Sequence, residues 1–234
     1  DGGDVFYNVS EVVKLTGVID TEALRKTVGY IAERHEILRT VFSMKNGTVY
    51  QRILASCPGG LSLADLRDIS KPFDFENGPL FRCTLLKLTE SEHIFILVMH
   101  HIISDGWSLG IFIDELTAAY QAFRSAGQPK LPDVQWQYGE YSVWQRNMLA
   151  GGAMEKQRTY WEKQLEGADE LNFPLDFDRP VLQSFSGRKT VFTYKRELTD
   201  KVMEASRSTD ATPFGSSTVK GSSTIKGSST VEDA

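Results

Sequence analysis

Cysteine is nearly missing from the 234 residues: Cys57 and Cys83 are the only two, which argues against a disulfide scaffold and for a reducing, cytoplasmic compartment. No run approaches the ~18 uncharged apolar residues of a membrane span. Asp1 to Asp4 lack the basic and apolar regions of a signal peptide, so neither membrane association nor secretion is expected. Basic charge is not in excess either. With 26 Lys and Arg against 31 Asp and Glu the formal net charge is −5, a poor match for nucleic acid. Gly-x-Gly-x-x-Gly and Walker-type loops are both absent. Their absence removes the motif support for nucleotide binding. What remains is ordinary globular material: 41% hydrophobic residues and 19 glycines, enough for one large domain or two small ones.

One stretch departs from that average. Residues 215–234 are three near-copies of a Gly-Ser-Ser-Thr hexapeptide, beginning at Gly215, Gly221 and Gly227. Such repeats bury too little apolar surface to offset their ordering entropy, so a disordered tail is expected, with a short β-helix-like repeat as the rival reading. The division expected is therefore 1–214 and 215–234.

Before the tail, strands and helices mix without a regular βαβ repeat. Residues 5–15 read as a strand, and Asp20 as the N-cap of a helix with Leu24, Val28, Ile31 and His35 on one face. Ile37 to Ser43 and Thr48 to Leu54 read as strands joined through Lys45-Asn46-Gly47, a hairpin turn signal. A loop at Cys57 to Gly60 follows. Leu80 to Leu88 and His93 to Met99 form a second expected hairpin. The continuous apolar run Ile94 to Met99 implies a strand covered on both faces. A helix carries Leu109, Phe112, Ile113, Leu116, Tyr120 and Phe123 and stops at Gly127 and Pro129. Tyr138 to Leu165 reads as helical with a break at Gly151-Gly152, and Thr190 to Tyr194 as a further strand. The fold class expected is an α/β two-layer sandwich with a mixed, largely antiparallel sheet.

Chemistry concentrates where the apolar strand ends, in His100, His101, Ile102, Ile103, Ser104, Asp105, Gly106, Trp107 and Ser108. Consecutive residues of a strand face opposite sides, so the two histidines cannot enter one pocket together: one is chemical, the other structural. A histidine can accept a proton near neutral pH, and an Asp followed by Gly suits a turn whose carboxylate fixes its neighbours. Two histidines ending a strand without function is the bland reading. A metal site would need three or four convergent ligands, and the remaining histidines, His35 and His93, lack ligand spacing, so no metal is expected.

The pattern His100-His101-x-x-x-Asp105-Gly106 closely resembles the HHxxxDG signature of the condensation domains of nonribosomal peptide synthetases, which share the chloramphenicol acetyltransferase-like fold. Further segments agree in the same order. Arg34 to Thr40 resembles RHExLRT, Pro72 to Leu80 resembles PFDLxxGPL, and Tyr138 to Arg146 resembles YxDYAVWQR. Tyr160 to Leu165 with Asp178 to Pro180 is similar to YWxxQL and DRP.

The resemblance implies an enzyme that joins an acyl or peptidyl thioester on one carrier protein to the amine of an aminoacyl thioester on another. Its partners would be peptidyl and aminoacyl carrier domains, an adenylation domain and a C-terminal lobe. No cofactor would be bound directly, because the substrates ride on the phosphopantetheine of the carriers. The catalytic residue carried over is His101, either taking a proton from the attacking amine or orienting it and steadying the tetrahedral intermediate. His100, Asp105 and Gly106 support the motif, Asp105 by pairing with an arginine, either Arg34 or Arg39 or one absent from this chain, and Gly106 by supplying a turn. Arg34 and Arg39 themselves read as structural salt-bridge formers. Ser108 suits a helix cap, and Trp107, Trp136, Trp144 and Trp161 read as core packing residues. Residue Ser104 leans toward an L-configured donor. A complete domain of this family is about twice as long, with an SxAQxR-type motif before the present Asp1 and a second lobe after Phe214. Residues 1–214 are thus expected to be an N-terminal lobe with little or no condensing activity alone. The alternatives are a non-catalytic scaffold or carrier-docking lobe and a related acyltransferase using coenzyme A. An epimerising relative fits less well.

Overall fold

In the computed structural model, residues 4–57, 61–63, 71–169, 174–178, 181–182 and 193–209 are described. The chain divides into two compact units, Asp1–Arg179 and Pro180–Ala234. In the second the described secondary structure is a helix, Arg196–Ser208; the repeat at 215–234 and most of the strand expected at Thr190 to Tyr194 lie outside the described residues. Arg179, Pro180 and residues 58–60 lie outside them as well.

The first unit is built on a four-stranded mixed sheet. Its strands are β1 (Asn8–Thr16), β4 (Leu61–Leu63), β5 (Phe81–Lys87) and β6 (Glu92–His100), ordered β1-β6-β5-β4. β6 is antiparallel to both of its neighbours, and β4 runs parallel to β5. A separate antiparallel hairpin joins β2 (Thr40–Lys45) to β3 (Thr48–Ile53). Its turn is the expected one: Asn46 and Gly47 both have positive φ, 50° and 75°.

Register explains why β6 is apolar throughout. Phe81, Cys83 and Leu85 stand directly opposite Met99, Leu97 and Phe95, and these six side chains are all buried. Between them Ile96 and Val98 of the other face are buried too, so the strand is covered on both sides. Each large side chain buried here contributes about 1.5–3 kcal/mol. The helices α1 (Thr21–Arg34) and α2 (Gly106–Arg124) pack against each other and complete this core with Leu24, Val28, Ile31, Leu109, Phe112 and Leu116. Asp20 caps α1, accepting from the amides of Glu22 and Ala23, and its own amide donates to the hydroxyl of Tyr120 on α2. Two more helices follow, α3 (Tyr138–Ala150) and α4 (Glu155–Gln164), separated at Gly151-Gly152. The helix of the second unit is α5.

Three expectations shift. Residues Asp4–Tyr7 form a 3₁₀ turn and only then does β1 begin. Residues Glu36–Arg39 likewise form a 3₁₀ turn before β2, because α1 ends at Arg34 and the chain must reverse within a few residues. The four tryptophans do not meet the core: Trp107 is 81% exposed, and Trp136, Trp144 and Trp161 are exposed as well. On α2 the buried face is fixed by Leu109, Phe112 and Leu116, and Trp107 lies two residues, about 200° of helix, from Leu109. Neither α3 nor α4 buries a single residue; Trp144 instead joins Tyr138 and Tyr141 in a row of tilted rings at 5.9 and 5.6 Å.

Candidate functional site

The end of β6 separates the two histidines as strand geometry requires. His100 turns inward and is 7% exposed, whereas His101 is exposed. Around His100 stand three rings: Phe75 at 4.7 Å, Tyr7 at 6.1 Å and Phe73 at 6.3 Å. Its Nδ1 accepts the amide of Ile102 at 3.0 Å, which leaves Nε2 to carry the ring proton. Its carbonyl accepts the amide of Ile103 (3.0 Å) and the hydroxyl of Ser104 (3.1 Å), and its amide donates to Leu80 (2.9 Å). The ring and main chain of His100 thus hold the turn that leaves the strand.

His101 rides on that turn. Its amide donates to the carbonyl of Tyr7 at 2.8 Å, one step beyond the Asn8–His100 pair that ends the β1–β6 ladder. The main chain is fixed, while its ring makes no hydrogen bond or ion pair among the described residues. His101 lines a shallow, open depression of about 490 Å³ together with Tyr7, His100 and Ile102.

Asp105 does not pair with an arginine among the described residues. Its carboxylate accepts the amide and the hydroxyl of Ser108, both at 2.8 Å, while the Ser108 hydroxyl accepts from the Asp105 amide at 2.7 Å. This capping box starts α2, and the Ser108 amide and hydroxyl, with smaller help from the Trp107 amide and from His101, hold the carboxyl below its ordinary range. Gly106 is the first residue of α2; its φ is not in the left-handed region, and a Cβ there would meet nothing within 4 Å. The turn therefore does not depend on a glycine at this position.

The two arginines find other partners. Arg34 donates from Nε to Glu115 of α2 at 3.1 Å and to the carbonyl of Pro132, and the same carboxylate lies 2.7 Å from Nε2 of His35. Gln137, just before α3, donates to the Arg34 carbonyl and accepts from the Glu36 amide, both at 3.0 Å. Arg39 donates to the Leu54 carbonyl at 2.7 Å and lies 3.6 Å from Glu36. Both are fastenings between elements and neither lines the depression.

Sequence reasoning did not single out Tyr7, Phe73 or Phe75. Phe73 and Phe75 belong to the Pro72 to Leu80 segment, which folds under His100. Asp74 accepts the amides of Glu76 and Asn77, and Phe42 donates its amide to Phe75 at 2.7 Å. Arg82 stacks on Phe73 with its guanidinium 3.8 Å from the ring centroid, and donates to Lys71 and Pro72. The apolar alternation around Asp74 was the available signal.

Against known proteins, the family model described as Condensation domain matches residues 1–213. The chain is 36% identical over 231 residues to chondramide synthase of Chondromyces crocatus, covering 92% of this chain and 6% of that protein. It is also 36% identical over 231 residues to malpibaldin synthetase of Mortierella alpina, covering 92% of this chain and 4% of that one. Among solved structures, the X-domain from teicoplanin biosynthesis superposes with a TM-score of 0.73 at 29% identity, covering 88% of this chain and 49% of the X-domain chain. The chain thus spans about half of that solved structure and a small part of the curated synthases.

Proposed function

Because the chain belongs to the condensation-domain family of nonribosomal peptide synthetases, we propose that residues 1–214 supply the histidine-bearing lobe of an amide-forming acyltransferase, with 215–234 as a separate tail. The observation that carries this reading is the division of labour between the histidines: His100 is enclosed and engaged at Nδ1, while His101 stands open on a fixed main chain. An amine nitrogen placed beside His101 attacks the carbonyl carbon of a thioester. The imidazole takes the proton that nitrogen sheds, the carbon–sulfur bond breaks as the amide forms, and the proton passes to the departing sulfur. His100 holds the turn and Asp105 the helix start, with Gly106 as the first residue of α2. Both reactants arrive on the phosphopantetheine arms of carrier domains, the amino acid having been activated by an adenylation domain. A thioester is already reactive, so proximity of two tethered groups contributes much of the acceleration.

The depression is shallow and broadly open to solvent. That geometry excludes water poorly and supports the further proposal that the 234-residue chain alone condenses little. The decisive assay supplies two loaded carriers, one acylated and one aminoacylated, and detects the amide by mass spectrometry. With the chain joined to the remainder of a condensation domain, His101→Ala should lower amide formation about 10²- to 10⁴-fold. Undiminished yield in that variant would favour a scaffold or carrier-docking role, and transfer from acyl-coenzyme A to a free amine would favour the related acyltransferase. Ready amide formation by the chain alone would overturn the proposed dependence on further sequence.

A further inference from the structure

Tyr7 is the one described tyrosine that is bonded through its main chain to His101 and also lines the depression in which His101 stands. The other exposed described tyrosines, Tyr50, Tyr138, Tyr141, Tyr160 and Tyr194, do not line it. Tyr7 is half exposed at 52%, and its ring has two aromatic neighbours. Phe6 meets it edge-on at 5.5 Å and 87°, and His100 tilts against it at 6.1 Å. Among the described residues its hydroxyl has no hydrogen-bond partner. A phenol whose ring is braced on two sides and whose hydroxyl is unengaged loses little freedom on binding, so a hydrogen bond it donates to a ligand is retained as affinity.

The chemistry beside His101 calls for such a donor. Resting on the amide-forming reading above, the group to be placed there is a thioester, an acyl carbonyl on a long thiol-bearing arm. His101 serves the amine, and its ring cannot also hold the carbonyl in place. The aromatic face suits the apolar part of the arm, and the hydroxyl suits the carbonyl oxygen. We propose that Tyr7 is a substrate-positioning residue of the His101 site: its main-chain carbonyl sets the His101 backbone, and its phenol hydroxyl donates to the carbonyl oxygen of the bound thioester.

The test uses the 234-residue chain, S-acetylpantetheine as the probe and free pantetheine, which lacks the thioester carbonyl, as its comparison. Binding is followed by the ring carbon–proton NMR signal of His101, assigned by its loss in His101→Ala. S-acetylpantetheine should shift this signal, and Tyr7→Phe should weaken its binding about 3- to 10-fold, the range of one hydrogen bond. Melting temperature and the His101 amide signal should stay where they were, which a merely structural role for the hydroxyl would not combine with weaker binding. Free pantetheine should bind both forms alike. Equal affinity of S-acetylpantetheine for wild type and Tyr7→Phe would overturn the proposal, as would equal weakening for both probes or a wild-type His101 signal that never shifts. Tyr7→Ala removes the wall as well and should displace the His101 amide signal; if it fails to fold, the Phe variant still decides. None of these outcomes bears on the carrier-based assay of His101→Ala, so the positioning role can fail while the amide-forming reading stands.

Discussion

Asp105 shows how one side chain can be charged for a reason other than an ion pair. Its carboxylate is satisfied by Ser108, and Ser108 returns a hydrogen bond to its amide, so the acid serves the start of α2. Removing it in Asp105→Ala should cost about 1 kcal/mol of stability, the usual worth of a helix cap, read as a lower urea midpoint at neutral pH. The sign of the pH dependence follows from the lowered folded-state value. A carboxyl that titrates below its ordinary 3.8 when folded contributes stability above that value and loses it as pH falls through the folded one. The stability gap between wild type and Asp105→Ala should therefore be constant from neutrality down to about pH 5 and narrow below about pH 4. A gap that stays constant to about pH 2 would show that the charge is not what caps the helix. Spacing alone located Asp105 and Ser108, but the partner of Asp105 was not legible: a carboxylate beside a helix start and a carboxylate beside an arginine look the same in sequence.

Helix α2 joins three tasks: the cap at Asp105, the core face at Leu109, Phe112 and Leu116, and Glu115, which reaches to Arg34 and His35 at the end of α1. Arg34 and Glu115 have side chains only 13% exposed, so this is a sheltered link between the helices that frame the core. Glu115→Ala leaves Arg34 with the Pro132 carbonyl and takes away the carboxylate beside His35; a loss of about 1–3 kcal/mol is expected. In an Arg34→Ala background the same change should cost less, with a coupling of at least about 0.5 kcal/mol in the double-mutant cycle, whereas additive costs would show that the contact carries nothing. The segment under His100 makes a sharper demand on backbone. Gly78 has φ of +64°, and a Cβ there would sit 2.8 Å from Cγ1 of buried Val41. Gly78→Ala should destabilise by more than about 1 kcal/mol, with thermal melting as the check; unchanged melting would mean that the β2 hairpin yields freely. The elements themselves were largely readable, since α1, α2, the two hairpins and the break at Gly151-Gly152 follow apolar period and turn residues. The 3₁₀ turns at Asp4–Tyr7 and Glu36–Arg39 were not, because four residues are too few to display a period.

Across the whole chain the sequence was legible where local pattern decides and illegible where burial by distant segments decides. The histidine pair, the apolar strand and the Asn46-Gly47 turn carry their roles in neighbouring residues. Tyr7 does not: it meets His101 only because β1 pairs with β6, strands far apart in the sequence, which no local pattern announces. The tryptophans failed in the same way, since size argues for burial but the face a helix presents is fixed by what packs against it. All four tryptophans are exposed, Trp107 beside the site and Trp136, Trp144 and Trp161 within or next to α3 and α4. Fluorescence of the folded 234-residue chain should then be quenched by acrylamide nearly as efficiently as that of the chain unfolded in concentrated urea, with a small spectral shift between the two. A covering partner would leave a definite mark: joining the chain to the remainder of a condensation domain, or adding a loaded carrier, should protect whichever tryptophans its surface meets. Single Trp→Phe variants identify them, Trp107→Phe reporting on the first turn of α2 and Trp144→Phe on the ring row of α3. Strong protection already present in the isolated chain at micromolar concentration, and lost on dilution, would instead mean that copies of the chain cover this aromatic surface for one another.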